Sequence, residues 1–209
     1  PRGIVRTPIL IRRVEDSDGA VLFKDDGQSH RAVSEATAFL MASMLSDVIS
    51  AGTGFRARQA GFTLPAAGKT GTTNDYNDAW FVGFTPHLVT GVWVGFDQPK
   101  TIASGGYAGE LAVPIWGAVM KRATRGHKPD WFERPAGVVG LNVCRMSGRL
   151  PAGGCDNVSV VDRDGVLGKR SMVYTEYFVR GTEPTGLCPL HGHSLTDRLA
   201  GVFGKDVGV

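Results

Sequence analysis

The segment Ala67-Gly68-Lys69-Thr70-Gly71-Thr72-Thr73 is where residue types and spacing first suggest chemistry. One candidate is a phosphate loop, which needs Gly, four residues, then Gly-Lys-Ser/Thr, with a helix N-terminus behind it to receive the phosphates. Here Thr63 stands where that first Gly is required, and the residues after Thr70 read as a strand. The nucleotide reading therefore loses its mechanism. The other candidate is an inner strand beside a nucleophilic serine. There the Lys69 ammonium supplies positive potential and a proton relay, and the Thr70 hydroxyl can bond a substrate carboxylate. Gly71 clears space for a substrate lying along the strand. Thr72 can offer its backbone N–H to a developing oxyanion, a contact that lowers barriers by several kcal/mol.

These residues need a sheet to hold them, and the flanking sequence supplies one. Ala67 to Thr73, Asp78 to Thr85 and Leu88 to Phe96 read as strands. The links between them, Thr73 to Asn77 and Pro86-His87, are short, so the strands form an antiparallel meander rather than a crossover unit. Upstream, Ser34 is placed as a helix N-cap with Glu35 in the first turn. Met41, Met44, Leu45, Val48 and Ile49 follow at helical spacing, and Gly52-Thr53-Gly54 ends the helix. Thr7 to Val14 and Ala20 to Lys24, joined by Glu15-Asp16-Ser17-Asp18-Gly19, read as a β-hairpin. Pro114 is placed in the first turn of a second helix bearing Ile115, Trp116, Val119 and Met120.

From Gly126 onward Gly, Pro and Cys become frequent and the helical periodicity disappears. The expected architecture is α+β: an antiparallel sheet flanked by helices over residues 1–125, then a small β- and loop-rich extension over residues 126–209. The boundary lies between Arg125 and Pro135.

Composition narrows the classes further. The chain has 209 residues, 42% hydrophobic and 21% charged, which is ordinary globular usage. Its net charge of +3, with no block of five like charges, is too balanced to argue for a nucleic-acid partner. No apolar run approaches the ~18 residues of a membrane span. The start, Pro1-Arg2-Gly3, carries neither an initiator Met nor a signal-peptide core, so the chain is read as a piece of something longer. Trp80, Phe81, Trp93 and Phe96 are read as sheet-face packing in preference to a sugar-stacking surface. Asp75, Asn77 and Asp78 are read as turn residues in preference to metal ligands. Tyr107 and the Ser104-Gly105-Gly106 loop are read as a linker in preference to a gate.

The wider context is specific. The run from Ala66 through Lys69-Thr70-Gly71-Thr72-Thr73-Asn74-Asp75-Tyr76-Asn77-Asp78-Ala79-Trp80-Phe81-Val82-Gly83-Phe84 to Pro86 closely resembles the penicillin-binding proteins. Val92-Trp93-Val94-Gly95-Phe96-Asp97 continues the likeness, as do Arg31-Ala32-Val33-Ser34, Gly52-Thr53-Gly54 and Ala112-Val113-Pro114-Ile115-Trp116. The ordered set resembles the last part of the D,D-transpeptidase domain of class A, bifunctional members, over residues 5 to 125. A weaker likeness runs through Glu176-Tyr177-Phe178 and Gly181-Thr182-Glu183-Pro184-Thr185.

The resemblance implies an enzyme on the extracytoplasmic (periplasmic) face of the bacterial inner membrane, with a glycosyltransferase domain and membrane anchor further upstream. Its substrate would be peptidoglycan stem peptides ending in D-Ala-D-Ala, and β-lactams would acylate the intact enzyme. It carries over Lys69 and Thr72 as catalytic residues, and Thr70, Gly71 and Thr72 as substrate-binding ones. No cofactor is implied and no metal ligand is assigned. The family's other two motifs, Ser-x-x-Lys and Ser-x-Asn, occur nowhere in the sequence. The chain by itself is therefore expected to be inactive, to depend on an upstream part of the same polypeptide, and to self-associate or dissolve poorly. Rival readings are a non-catalytic cell-wall or protein-binding module, and a serine β-lactamase or carboxypeptidase relative. The implied compartment favours a disulfide, and Cys144–Cys155 is the preferred pair because the two flank a Ser147-Gly148 and Gly153-Gly154 loop. The alternative is a zinc site begun by Cys188-x-x-His191, with His193 nearby.

Overall fold

A computed structural model describes residues 2–161 and 164–192; His193 lies outside the described residues. The chain divides into two compact units, Pro1–Pro135 and Ala136–Val209. Elements are antiparallel sheets and a few helices, an α+β fold.

The first unit opens with β1 (Ile4–Arg6), β2 (Arg13–Glu15), β3 (Val21–Lys24) and β4 (Ser29–Arg31), nested so that β2 pairs with β3 and β1 with β4. The Asp16 carboxylate closes the inner turn by accepting the N–H groups of Asp18 and Ala20 at 3.0 and 2.8 Å. The expected hairpin is therefore present, but its first strand is shorter than the apolar run. Pro8 has no N–H to give, and pairing resumes only where Asp25 donates to the Arg12 carbonyl at 2.9 Å.

Helix α1 (Glu35–Ser50) starts at Ser34, whose hydroxyl accepts the Thr37 N–H at 3.0 Å. Its buried face is Phe39, Ala42 and Ile49, whereas Met41 and Met44 are half exposed. The short α2 (Arg56–Gln59), which the sequence pattern does not announce, follows. Then come β5 (Ala67–Thr72), β6 (Asp78–Phe84) and β7 (Val89–Gly95), antiparallel and in that spatial order. Helix α3 (Ala108–Ala123) begins well before Pro114, which sits in its interior rather than its first turn. The cap is instead Tyr107, and the proline forfeits one ladder hydrogen bond inside the helix.

The core of this unit is aromatic. Trp116 meets Phe62 and Phe81 edge-on, with ring centroids 5.2 and 5.1 Å away. Its indole N–H donates to the Thr90 carbonyl at 3.0 Å. Two glycines make room for these rings. A Cβ on Gly83 would lie 2.7 Å from the Trp116 ring, and one on Gly68 would lie 2.6 Å from Phe81. Of the four aromatics read as packing, only Phe81 is buried. Trp80, Trp93 and Phe96 are more than two-fifths exposed, and Trp80 and Trp93 pair across β6 and β7 with centroids 6.1 Å apart. The reason is the strand period: Ala79, Phe81 and Gly83 point into the core, so Trp80 and Val82 must point away.

The second unit contains β8 (Val138–Cys144), β9 (Val158–Val161), β10 (Leu167–Arg170) and β11 (Val173–Val179), with β8 paired to β11 and β9 to β10. Its buried cluster is Cys144, Ala152, Cys155, Met172 and Cys188. The expected Cys144–Cys155 disulfide is not formed. Cys144, Cys155 and Cys188 are all free and buried, and their sulfurs lie within 4.8 Å of one another and of a His191 ring nitrogen.

Candidate active site

The Lys-Thr-Gly segment forms the middle of β5, an edge strand with β6 on one side and no strand on the other among the described residues. Its first residues, Ala67 and Gly68, are buried and anchor it, while Lys69, Gly71 and Thr72 are exposed. Register fixes which way each looks. Lys69 lies opposite Val82 and Gly71 opposite Trp80, both on the open face of the sheet. Thr70 and Thr72 lie opposite Phe81 and Ala79, on the face that carries the core.

The lysine nevertheless reaches its neighbour. Its Nζ donates to the Thr70 carbonyl at 2.9 Å and stands 3.5 Å from the Thr70 hydroxyl. That hydroxyl is 2.8 Å from the hydroxyl of Thr53. In the sequence Thr53 reads only as part of a glycine-flanked helix end; its place in the site depends on a contact 17 residues away. Gly109 lets the start of α3 approach this loop, since a Cβ there would lie 2.8 Å from the Thr53 carbonyl oxygen.

Thr53, Thr70 and Thr72 line an open groove of about 440 Å³ with Arg56, Tyr107 and Glu110. Thr72 accepts the N–H of Ala108, the first residue of α3, at 3.1 Å. The positive end of that helix dipole thus faces the same hydroxyls. Arg56 is paired with Glu110 at 2.9 Å. Tyr107 is tied into the site rather than being part of a plain linker. The Tyr76 hydroxyl donates to the Tyr107 hydroxyl at 3.1 Å, and the rings pack edge-on. That hydrogen bond, with the electrostatic effect of the neighbouring phenol, raises the Tyr76 pKa. Asp78 behaves as a structural residue: its backbone N–H donates to the Thr73 hydroxyl, and its carboxylate accepts the Trp93 indole N–H at 2.9 Å.

One ammonium, a coupled hydroxyl pair and an unpaired strand edge suit an extended chain that ends in a carboxylate. The edge would pair its backbone, and the charged and hydroxyl groups would hold its terminus.

Comparison with known proteins identifies the family. The family model described as penicillin binding protein transpeptidase domain matches residues 2–121, and that described as penicillin-binding protein 1A, C-terminal domain, matches residues 134–193. Penicillin-binding protein 1A of Clostridium tetani is 32% identical over 193 residues, covering 91% of this chain and 23% of that protein. Penicillin-binding protein 1A of Neisseria gonorrhoeae is 45% identical over 138 residues, covering 64% of this chain and 17% of that protein. The crystal structure of penicillin-binding protein 1A from Haemophilus influenzae superposes with a TM-score of 0.66 at 26% identity, over 89% of this chain and 31% of that one. The chain thus spans under a quarter of the length of these curated relatives. With both family models in sequence order and the Lys-Thr-Gly edge strand in place, the chain belongs to the penicillin-binding protein transpeptidase family and corresponds to the C-terminal part of its class A members.

Proposed function

We propose that this chain supplies the Lys-Thr-Gly wall of a serine D,D-transpeptidase site that cross-links peptidoglycan stem peptides ending in D-Ala-D-Ala. In this reading Lys69 supplies positive potential and a proton relay beside the serine, Thr70 and Thr72 hold the terminal carboxylate, Gly71 leaves room along β5, and the Thr72 N–H helps stabilise the oxyanion. A serine from an upstream part of the same polypeptide attacks the penultimate D-Ala carbonyl, releases D-Ala and forms an ester. An amine of a neighbouring stem peptide then resolves that ester. β-Lactams acylate the same serine. The site works on the extracytoplasmic side of the bacterial inner membrane. The supporting observation is the Thr53–Thr70 hydroxyl pair within reach of the Lys69 ammonium on an unpaired strand edge.

Fluorescent-penicillin acylation of the longer polypeptide that contains this sequence tests the reading. Lys69→Ala should slow acylation roughly tenfold to a hundredfold, the worth of one charge-assisted hydrogen bond. The 209-residue chain alone, lacking Ser-x-x-Lys and Ser-x-Asn, should take up no label. A longer polypeptide that never labels would favour the non-catalytic module instead.

A further inference from the structure

We propose that Cys144, Cys155, Cys188 and His191 together bind one structural zinc ion, which forms the centre of the second unit.

The geometry carries this. The three sulfurs stand 3.4, 3.3 and 3.4 Å from one atom, the Nδ1 of His191. All four donor atoms lie within 4.8 Å of one another. A single imidazole nitrogen has either one lone pair or one proton, so it cannot satisfy three thiols by hydrogen bonding. A tetrahedron can. With Zn–S near 2.3 Å and Zn–N near 2.0–2.1 Å, the S···N edge of a tetrahedral site is about 3.5 Å. The observed separations fall within a few tenths of that edge. A disulfide would need two sulfurs about 2.05 Å apart, and none of the three cysteines is bonded to another.

Local structure is built to hold the four donors. Cys144 ends β8, and its carbonyl accepts the N–H groups of Ser147 and Gly148 at 3.2 and 2.8 Å. Gly148 turns this loop at φ 68°. The Cys155 sulfur accepts the Ala152 N–H at 3.3 Å, the kind of bond that supports a thiolate ligand. Cys188 is fixed by its own N–H on the Leu150 carbonyl at 2.8 Å. The His191 loop is clasped by Gly154, whose N–H donates to the Gly192 carbonyl at 3.1 Å. A Cβ on Gly154 would meet that oxygen at 3.0 Å.

Energetics supply the motive. Three of the five residues in the buried cluster are cysteines, in a unit of fewer than eighty residues. A unit this small rarely gains enough from apolar burial alone, and metals are a common remedy. Four protein donors leave no open position, so the ion would be structural rather than catalytic. On binding, the three thiols release their protons to solvent, and Zn²⁺ takes three thiolates and a neutral imidazole.

The test is metal analysis of the 209-residue chain, purified under reducing conditions, by plasma mass spectrometry. The expected result is one zinc per chain, lost in Cys188→Ser and in His191→Ala. His191→Cys, which restores a fourth donor, should retain it, so loss of metal is separated from loss of fold. Cobalt exchanged into the wild type should show the intense ligand-field bands of a tetrahedral thiolate site. Three results would overturn the proposal: reduced protein that binds neither ion, zinc that persists undiminished in Cys188→Ser, or a Cys144–Cys155 disulfide found by peptide mapping. None of these bears on the transpeptidase reading, which rests on the other unit.

Discussion

The two units solve the same problem with different atoms. The first buries Trp116, Phe81, Phe62, Ile49 and Met120 around a three-stranded meander. The second buries three thiols beside an alanine and a methionine, with an imidazole at the edge of the cluster. One core is made by removing apolar surface from water, a force without direction that tolerates some repacking. The other, on the zinc proposal, is made by directed bonds to one ion. The two should therefore fail under different insults.

The largest effect should come from removing the ion. Apparent zinc-binding free energies in small structural sites are about 10–16 kcal/mol, comparable with the whole stability of an ordinary domain, about 5–15 kcal/mol. A strong chelator added to the 209-residue chain should abolish hydrogen-exchange protection along β8 and β11. Protection along β5, β6 and β7 should persist. If chelation left β8 and β11 as protected as before, the second core would have to be apolar after all, and the contrast would collapse.

The converse perturbation is Trp116→Ala. Trp116 is fully buried, packs edge-on against two aromatic rings and satisfies the Thr90 carbonyl. Its truncation should cost about 3–5 kcal/mol, the range for a large aromatic removed from a core. Amides of β6 and β7 should then exchange through global opening of the first unit, while zinc content stays at one per chain. Loss of zinc in this variant would mean that the two cores are not separately stabilised.

The same contrast governs what the sequence reveals. The meander is legible because its causes are local: short links and alternation around Trp80 and Phe81. Ser34 is legible as a cap because it precedes a helical period directly. The reading goes astray where a neighbour decides. Met41 and Met44 have the right spacing for a buried face, yet they are half exposed, and Phe39 and Ala42 join the expected Ile49 there. Pro114 is tolerated inside α3, although a proline signals a helix start far more often. The exposure of Trp80 and Trp93 follows only once Phe81 is known to point inward. The cysteine cluster is the extreme case. Its donors are 11, 33 and 3 residues apart in sequence, so only the Cys188–His191 step looks like a metal motif. The convergence is made by the β8–β11 pairing and the Leu150–Leu187 bridge.

The Lys-Thr-Gly site falls between these extremes, and its smallest test concerns Thr53. The motif itself was readable, but the hydroxyl that meets Thr70 at 2.8 Å comes from a helix-terminating loop. Thr53 is exposed and buries nothing in the core. Thr53→Val keeps the shape and removes the hydroxyl, so stability of the 209-residue chain should change by no more than about 0.5 kcal/mol, as for ordinary surface substitutions. In the longer polypeptide the same change should slow penicillin acylation severalfold, because on the proposed reading Thr70 would meet the substrate carboxylate without its partner. Unaltered acylation together with unaltered stability would reduce the Thr53–Thr70 pair to a surface contact. A drop in stability of several kcal/mol would instead make Thr53 part of the scaffold. Only a loss of acylation at constant stability fits a residue whose position was shaped by the substrate, and that pattern would set this edge of the sheet apart from both cores.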